Sequence, residues 1–162
     1  RLEARPPNAE GAGGVSVRVL VRAALRMRPD RLIVGEVRGG EAFDLLQALN
    51  TGHDGSLTTV HANGVEAVVD RLTALVLLAG VGVPASAVHL QVAEALDYVV
   101  HVVRRDGRRQ VQTIGEVRRS GAGVVVVPLF ARRADDLVAI GSPARRPRRP
   151  DAPPPDPGWF RC

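Results

Sequence analysis

Two short apolar runs, Leu32-Ile33-Val34 and Ser56 to Val60, each lead into an ionisable residue, Glu36 and His61, within the segment RPDRLIVGEVRGGEAFDLLQALNTGHDGSLTTVHAN at 28–63. The all-apolar Leu32-Ile33-Val34 is what a strand buried on both faces of a parallel sheet displays, and Ser56 to Val60 reads as the next strand because it is rich in β-branched residues. Between the runs, Ala42, Leu45, Leu46 and Leu49 fall at i, i+3, i+4 and i+7, which predicts a helix that Gly52 closes in a left-handed conformation. Strand, helix and strand make an α/β unit, and polar side chains at the ends of its buried strands are where such folds place their chemistry.

The flanks extend the pattern. Val15, Val19, Ala23 and Met27 predict an amphipathic helix over Val15 to Met27, ended by Pro29. Asn63 with Glu66 three residues on reads as a capping box for a helix whose inner stripe is Val65, Val68, Val69, Leu72 and Leu75, with Gly80 at its end. Pro84 sits at the first turn of another helix bearing Val88, Val92 and Leu96. From Tyr98 the period becomes that of strands: Tyr98 to Val103, Gln110 to Val117 and Val124 to Leu129, with Asp106-Gly107 as a hairpin turn. The fold class expected is α/β, a mixed sheet with flanking helices and a C-terminal hairpin region.

Composition narrows the class further. Residues 72–93 carry no formal charge, long enough to suggest a membrane span, but Gly80, Gly82, Pro84, Ser86, His89 and Gln91 interrupt them, so helix, turn and helix is the better reading. No segment has the order of a signal peptide, and the first residue is arginine, from which we expect a chain that begins inside a longer reading frame. The lone Cys162 has no partner in this sequence, which fits a reducing compartment. Four scattered histidines and one cysteine do not have zinc-site spacing. All 22 basic residues are arginine, and 13 of them lie beyond residue 103, in pairs such as Arg104/Arg105, Arg108/Arg109 and Arg145/Arg146. Such pairs suit an anionic partner or, more blandly, solvated strand ends and a polar tail.

The motifs GEVRGGEA and NTGHDGSLTTVHAN, with the opening RLEARPPNAEG, resemble in order and length the Walker B region and histidine box of the secretion ATPases of type II secretion, type IV pili and type IV secretion. The resemblance runs from Arg1 to about Arg119 and is greatest to the branch serving tight-adherence pili and actinobacterial conjugation-associated systems. It implies a RecA-like P-loop NTPase core, here its C-terminal portion only. Residues 1–119 would be the partial ATPase domain, 120–140 a strand extension and 141–162 a disordered Pro/Arg-rich tail. The family's G-x-x-x-x-G-K-[ST] phosphate loop is absent from this sequence.

The resemblance also implies roles. Glu36 would orient or deprotonate the attacking water and hold magnesium through a bound water, and His61 would sense the γ-phosphate. Arg5, Arg26, Arg38 and His53 would contact nucleotide, some across a subunit boundary. The residues alone leave alternatives: Glu36 pairing with Arg38 or Arg26, Arg38 with Glu41 or Glu36, and His53 binding backbone. Gly39-Gly40 reads as a flexible turn before a helix. ATP and Mg2+ are the implied cofactors. The implied assembly is a homohexamer on inner-membrane platform proteins, cytoplasmic and peripheral to the plasma membrane. Two other classes compete: a non-catalytic regulatory or subunit-contacting module, and an arginine-rich nucleic-acid binder, disfavoured by the scarcity of aromatic platforms.

Overall fold

The computed structural model describes residues 1–121 and 123–144. It is a mixed α/β fold with one parallel and one antiparallel sheet. The tail expected over 141–162 lies, from residue 145 on, outside the described residues.

Helix α1 spans Val17–Arg26, capped by Ser16, whose Oγ accepts from the Val19 N–H at 3.3 Å. It starts two residues later than expected because Val15 instead forms an antiparallel bridge with Arg5. It stops before Pro29 because a residue preceding proline is driven out of the helical region; Arg28 adopts a left-handed φ of 51°. The expected stripe is also corrected. Val19 and Met27 are exposed, whereas Val21 is buried and Val17, Leu20 and Ala24 are half-buried. That second set has the full i, i+3, i+4, i+7 spacing, while steps of four alone drift around the helix. Asp44 fixes α1 to the next helix by accepting from Arg18 Nε and Arg22 Nε, both at 2.6 Å.

Strands β1 (Ile33–Val34) and β2 (Leu57–Thr58) pair in parallel, with Ile33 opposite Leu57. Burial on both faces is not observed: Ile33 is 77% exposed and Leu57 65%. Val34 packs on the core, and no helix among the described residues covers the other face. The core is built by α2 (Glu41–Leu49), α3 (Ala67–Leu78) and α4 (Ala85–Ala95), which bury Leu46, Leu75, Val88 and Val92 as the periodicity predicts, and Val76 in addition. Gly52 and Gly80 have the left-handed φ expected after α2 and α3. The break at 79–84 divides the uncharged stretch, and no helix among the described residues is long and apolar enough to cross a membrane.

The capping box does not form. Helix α3 begins after Glu66, whose side chain caps nothing, and Val68 N–H instead closes the entry turn on the Val65 carbonyl at 3.4 Å. Burying Val65 draws this turn inward, and the backbone satisfies itself where a side chain was expected.

The antiparallel sheet has the order β3 (Tyr98–Arg105), β4 (Arg108–Ser120), β5 (Gly123–Arg133), β6 (Asp136–Ala139). Asp106 and Gly107 both have positive φ, as the hairpin's tight turn requires. Gly115 is dictated by packing, since a Cβ there would meet Val126 Cγ1 at 2.5 Å. Strand β6 was not foreseen; with four residues it carries too short a pattern to separate from loop.

Candidate active site

Bonds beyond the ladder of β1 and β2 set the site. Val37 N–H donates to the Thr59 carbonyl at 2.9 Å, and Thr59 Oγ1 donates to the Gly35 carbonyl at 2.6 Å. These tie the segment after β1 to the segment after β2, and so place Glu36 against His61. Strand pairing stops at Thr58, short of the expected Val60, yet the juxtaposition holds.

His61 Nε2 lies 2.9 Å from Glu36 Oε1, and Arg38 Nη2 lies 2.5 Å from Glu36 Oε2. Oε1 is buried but lacks a partner of hydrogen-bond geometry; the imidazole is close without being aligned as a donor. The carboxylate therefore retains an acceptor position. Glu36 is only 23% exposed, beneath a largely exposed imidazole and guanidinium. The hydrogen bond from Arg38 holds its carboxyl below the ordinary 4.5, partial desolvation opposes this, and the charges of Arg38 and His61 add to the lowering. Glu36 in turn raises the pKa of Arg38, which stays charged.

The sign of the pH dependence follows from this. A depressed carboxylate pKa contributes stability that is present above the unfolded value near 4.5 and lost as pH falls through the folded value. Arg38→Ala moves the Glu36 midpoint upward, toward or past 4.5, and its loss of ionisation begins at higher pH. Carboxyl carbon chemical shifts measure this directly. A midpoint unchanged by the substitution contradicts Arg38 as the dominant cause.

Of the two partners open to Arg38, the structure selects Glu36. Glu41 does a different job: its Oε1 accepts from the backbone N–H groups of Arg38 at 2.7 Å and Gly39 at 2.9 Å. The Gly39-Gly40 turn does precede a helix, but these amides are engaged, and Gly40 serves close packing, since a Cβ there would sit 3.1 Å from Ala79 Cβ. Both Gly39 and Gly40 are without the positive φ that glycine uniquely supplies.

Glu36 and Arg38 open onto a cavity of about 710 Å³ that Arg1, Arg31, Leu20 and Val21 also line. Neither Arg1 nor Arg31 was singled out in the sequence: Arg31 is marked only by its proximity to β1, and Arg1 only by lying in the opening segment. Arg5 and Arg26 do not line this cavity. Arg5 donates from Nε to the Gly13 carbonyl at 2.8 Å, and Arg26 is exposed in the last turn of α1. His53 lies elsewhere, its Nδ1 2.9 Å from the Ala48 carbonyl near the end of α2, the backbone-binding alternative. Glu36, Arg38 and His61 are thus brought together; Arg5, Arg26 and His53 are not part of that cluster.

Residues 4–126 match the family model described as type II/IV secretion system protein. The chain belongs to the type II/IV secretion system protein family. Its relatives include a putative conjugal transfer protein of Mycobacterium tuberculosis strain H37Rv, 50% identical over 144 residues, covering 86% of this chain and 40% of that protein. The type IV secretion system protein PtlH of Bordetella pertussis is 41% identical over 104 residues, 63% of this chain and 31% of that one. Among solved structures, the VirB11 ATPase of the Brucella suis type IV secretion system, in complex with sulphate, matches with a TM-score of 0.59 and 33% identity, over 63% of this chain and 32% of that chain. The chain of this secretion-system family member therefore spans two fifths or less of the length of these relatives.

Proposed function

We propose that this chain is the C-terminal part of the ATP-hydrolysing motor of a type II/IV secretion, tight-adherence pilus or conjugation-associated system, with a RecA-like core. The observation that carries this is the Glu36 carboxylate, held ionised by Arg38 beside His61, with one oxygen buried and lacking a hydrogen-bond partner. An acceptor kept ionised is suited to take a proton from water or orient it. The imidazole beside it registers the state of the site through that contact. Bound ATP and Mg2+ would supply the scissile phosphoanhydride and neutralise its charge. Glu36 fits a water-mediated contact to such a cation, because its buried Oε1 keeps an unfilled acceptor position. Arg38, and Arg5 and Arg26 from this or a neighbouring subunit, provide the guanidinium groups for phosphate. We assign 1–119 to the partial ATPase domain, 120–140 to its strand extension and 141–162 to the tail. The working form in this reading is a cytoplasmic homohexamer bound to inner-membrane platform proteins.

The isolated chain should not hydrolyse ATP, because it lacks the phosphate loop's backbone donors and lysine. A steady-state phosphate-release assay on the pure chain tests this, against a longer protein that joins the same residues to a G-x-x-x-x-G-K-[ST] segment. Glu36-dependent turnover by the chain alone overturns the incomplete-site reading. Inactivity of the longer protein overturns the motor.

The nucleic-acid alternative has one observation in its favour. The tip of the β3–β4 hairpin sets Arg104 opposite Arg109 and Arg105 opposite Arg108, all exposed. Elsewhere Arg118 pairs with Glu116, Arg119 with Glu94, and Arg132 bonds the Val111 and Asp135 carbonyls, so these arginines serve the fold.

A further inference from the structure

The pairing of β3 with β4 runs on past the point where β5 leaves β4. The last pair between β4 and β5 is Thr113 with Ala131, whereas β3 and β4 stay paired as far as Arg105 with Arg108. Residues 102–105 and 108–111 therefore form a two-stranded ribbon, closed by the Asp106-Gly107 turn. On its β4 side the Val111 carbonyl accepts from Arg132 Nε at 2.8 Å, a side chain in place of a further strand. The register shifts between His101 and Val102, at the base of the ribbon, and such shifts add to the strong twist of a two-stranded pair. Successive residues of a strand face opposite ways, so Arg104 and Arg109 stand on one face of the ribbon and Arg105 and Arg108 on the other, all four exposed. Among the described residues none of the four forms an ion pair, whereas Arg18, Arg22, Arg38, Arg118 and Arg119 all meet carboxylates.

We propose that this ribbon binds duplex DNA by entering the major groove. That groove admits a two-stranded β-ribbon, and a row of phosphates flanks it on either side. A ribbon with a guanidinium pair on each face meets both rows at once, which a basic patch on a single face does not do. The twist of a two-stranded pair lets it follow the groove's course. Asp106, foremost at the turn, then faces base edges, where a carboxylate accepts from the cytosine amino group. Against a flat anionic membrane the same acid meets the headgroups first, and the Asp106-Gly107 turn offers no apolar or aromatic side chain to the interface. Duplex RNA does not fit, because its major groove is too deep and narrow for side chains to read. Single strands are held largely by stacking on aromatic rings, and no aromatic residue lies between Tyr98 and Phe130. The inference goes beyond the motor reading and stands without it: none of the four arginines lines the cavity of Glu36 and Arg38, and binding needs neither nucleotide nor turnover.

The 162-residue chain is titrated, without nucleotide, into a labelled mixed-sequence DNA duplex of about 20 base pairs, and anisotropy is read across roughly 50 to 200 mM salt. Four phosphate contacts at about −0.9 each predict a slope of roughly −3.6 for log K against log salt, about a hundredfold loss over that range. Replacing Arg104, Arg105, Arg108 and Arg109 together by Gln should weaken binding at the lowest salt by about tenfold or more and flatten the slope by about 3, with circular dichroism unchanged. Replacing Arg145, Arg146, Arg148 and Arg149 instead should leave most of the slope in place. Each face is then tested singly: Arg104→Gln with Arg109→Gln, and Arg105→Gln with Arg108→Gln, should each flatten the slope by about 2, which decides the matter if the fourfold variant does not fold. One silent face overturns groove entry, because a flat contact uses one face only. Absence of duplex binding overturns the proposal, as does binding that follows the arginines beyond residue 144 rather than those of the ribbon. Equal affinity for a single strand or an RNA duplex of the same length does so as well. Cosedimentation with phosphatidylglycerol vesicles without duplex binding assigns the tip to a lipid surface and also overturns it.

Discussion

In a full-length protein that joins this chain to a phosphate loop, Glu36→Gln should reduce ATP turnover by about 10²- to 10⁴-fold, the range general-base catalysis contributes, and leave nucleotide affinity largely unchanged. Glutamine keeps the shape of the side chain and one acceptor oxygen, so it disturbs the cavity little. It cannot accept a proton at neutral pH, and it surrenders the ion pair with Arg38. Arg38→Ala separates these two losses. It breaks the same pair but leaves the carboxylate, so a general-base role predicts that the acid limb of the rate profile moves to higher pH with Glu36's pKa, while the plateau falls only by what the guanidinium contributes to holding phosphate. If both variants lose activity equally with no shift in the profile, the pair is structural. Turnover undiminished in Glu36→Gln removes the catalytic assignment altogether.

The core helices were legible because their signals are long. Leu45, Leu46 and Leu49 in α2 and Val68, Leu72 and Leu75 in α3 repeat over two turns or more, and each helix ends at a glycine with positive φ. Shorter signals failed. The phase of α1 was misjudged because Val15, Val19, Ala23 and Met27 satisfy only one of the helical intervals, and Val15 was already engaged by Arg5. An apolar triplet at 32–34 does not say whether both faces are covered, since coverage depends on elements distant in sequence; Ile33 is open. At the site, the placement of Glu36 and His61 at strand ends was expected, whereas their 2.9 Å contact and the Thr59 to Gly35 bond that secures it have no sequence signature. The same holds for Glu41 and Asp44, ordinary charges on a helix in sequence. The first closes a glycine turn, and the second holds two arginines of another helix.

Glu116 is the least predictable feature and the one with the largest expected effect on stability. It is completely buried in the middle of the antiparallel sheet, accepts from Arg118 Nε at 2.6 Å, and takes the Ala144 N–H at 2.9 Å, while Arg118 donates to the Ser142 carbonyl at 2.8 Å. This knot holds residues 142–144 onto β4. Glu116→Ala should cost about 3 kcal/mol, the low end for breaking a buried pair because Arg118 retains some access to water. Urea denaturation measures it, with an accompanying fall in Tm of roughly 10 °C. The larger part of that cost is the stranded partner rather than the lost attraction, which a second substitution exposes. Glu116→Leu combined with Arg118→Leu removes both charges, keeps the site filled, and should recover more than half of the loss, as replacement of buried pairs by apolar groups commonly does. Ala144 N–H remains without its acceptor in every variant and limits the recovery. A loss below about 1 kcal/mol in Glu116→Ala would mean that water enters and solvates Arg118 once the carboxylate is gone. The knot would then position residues 142–144 without stabilising the sheet.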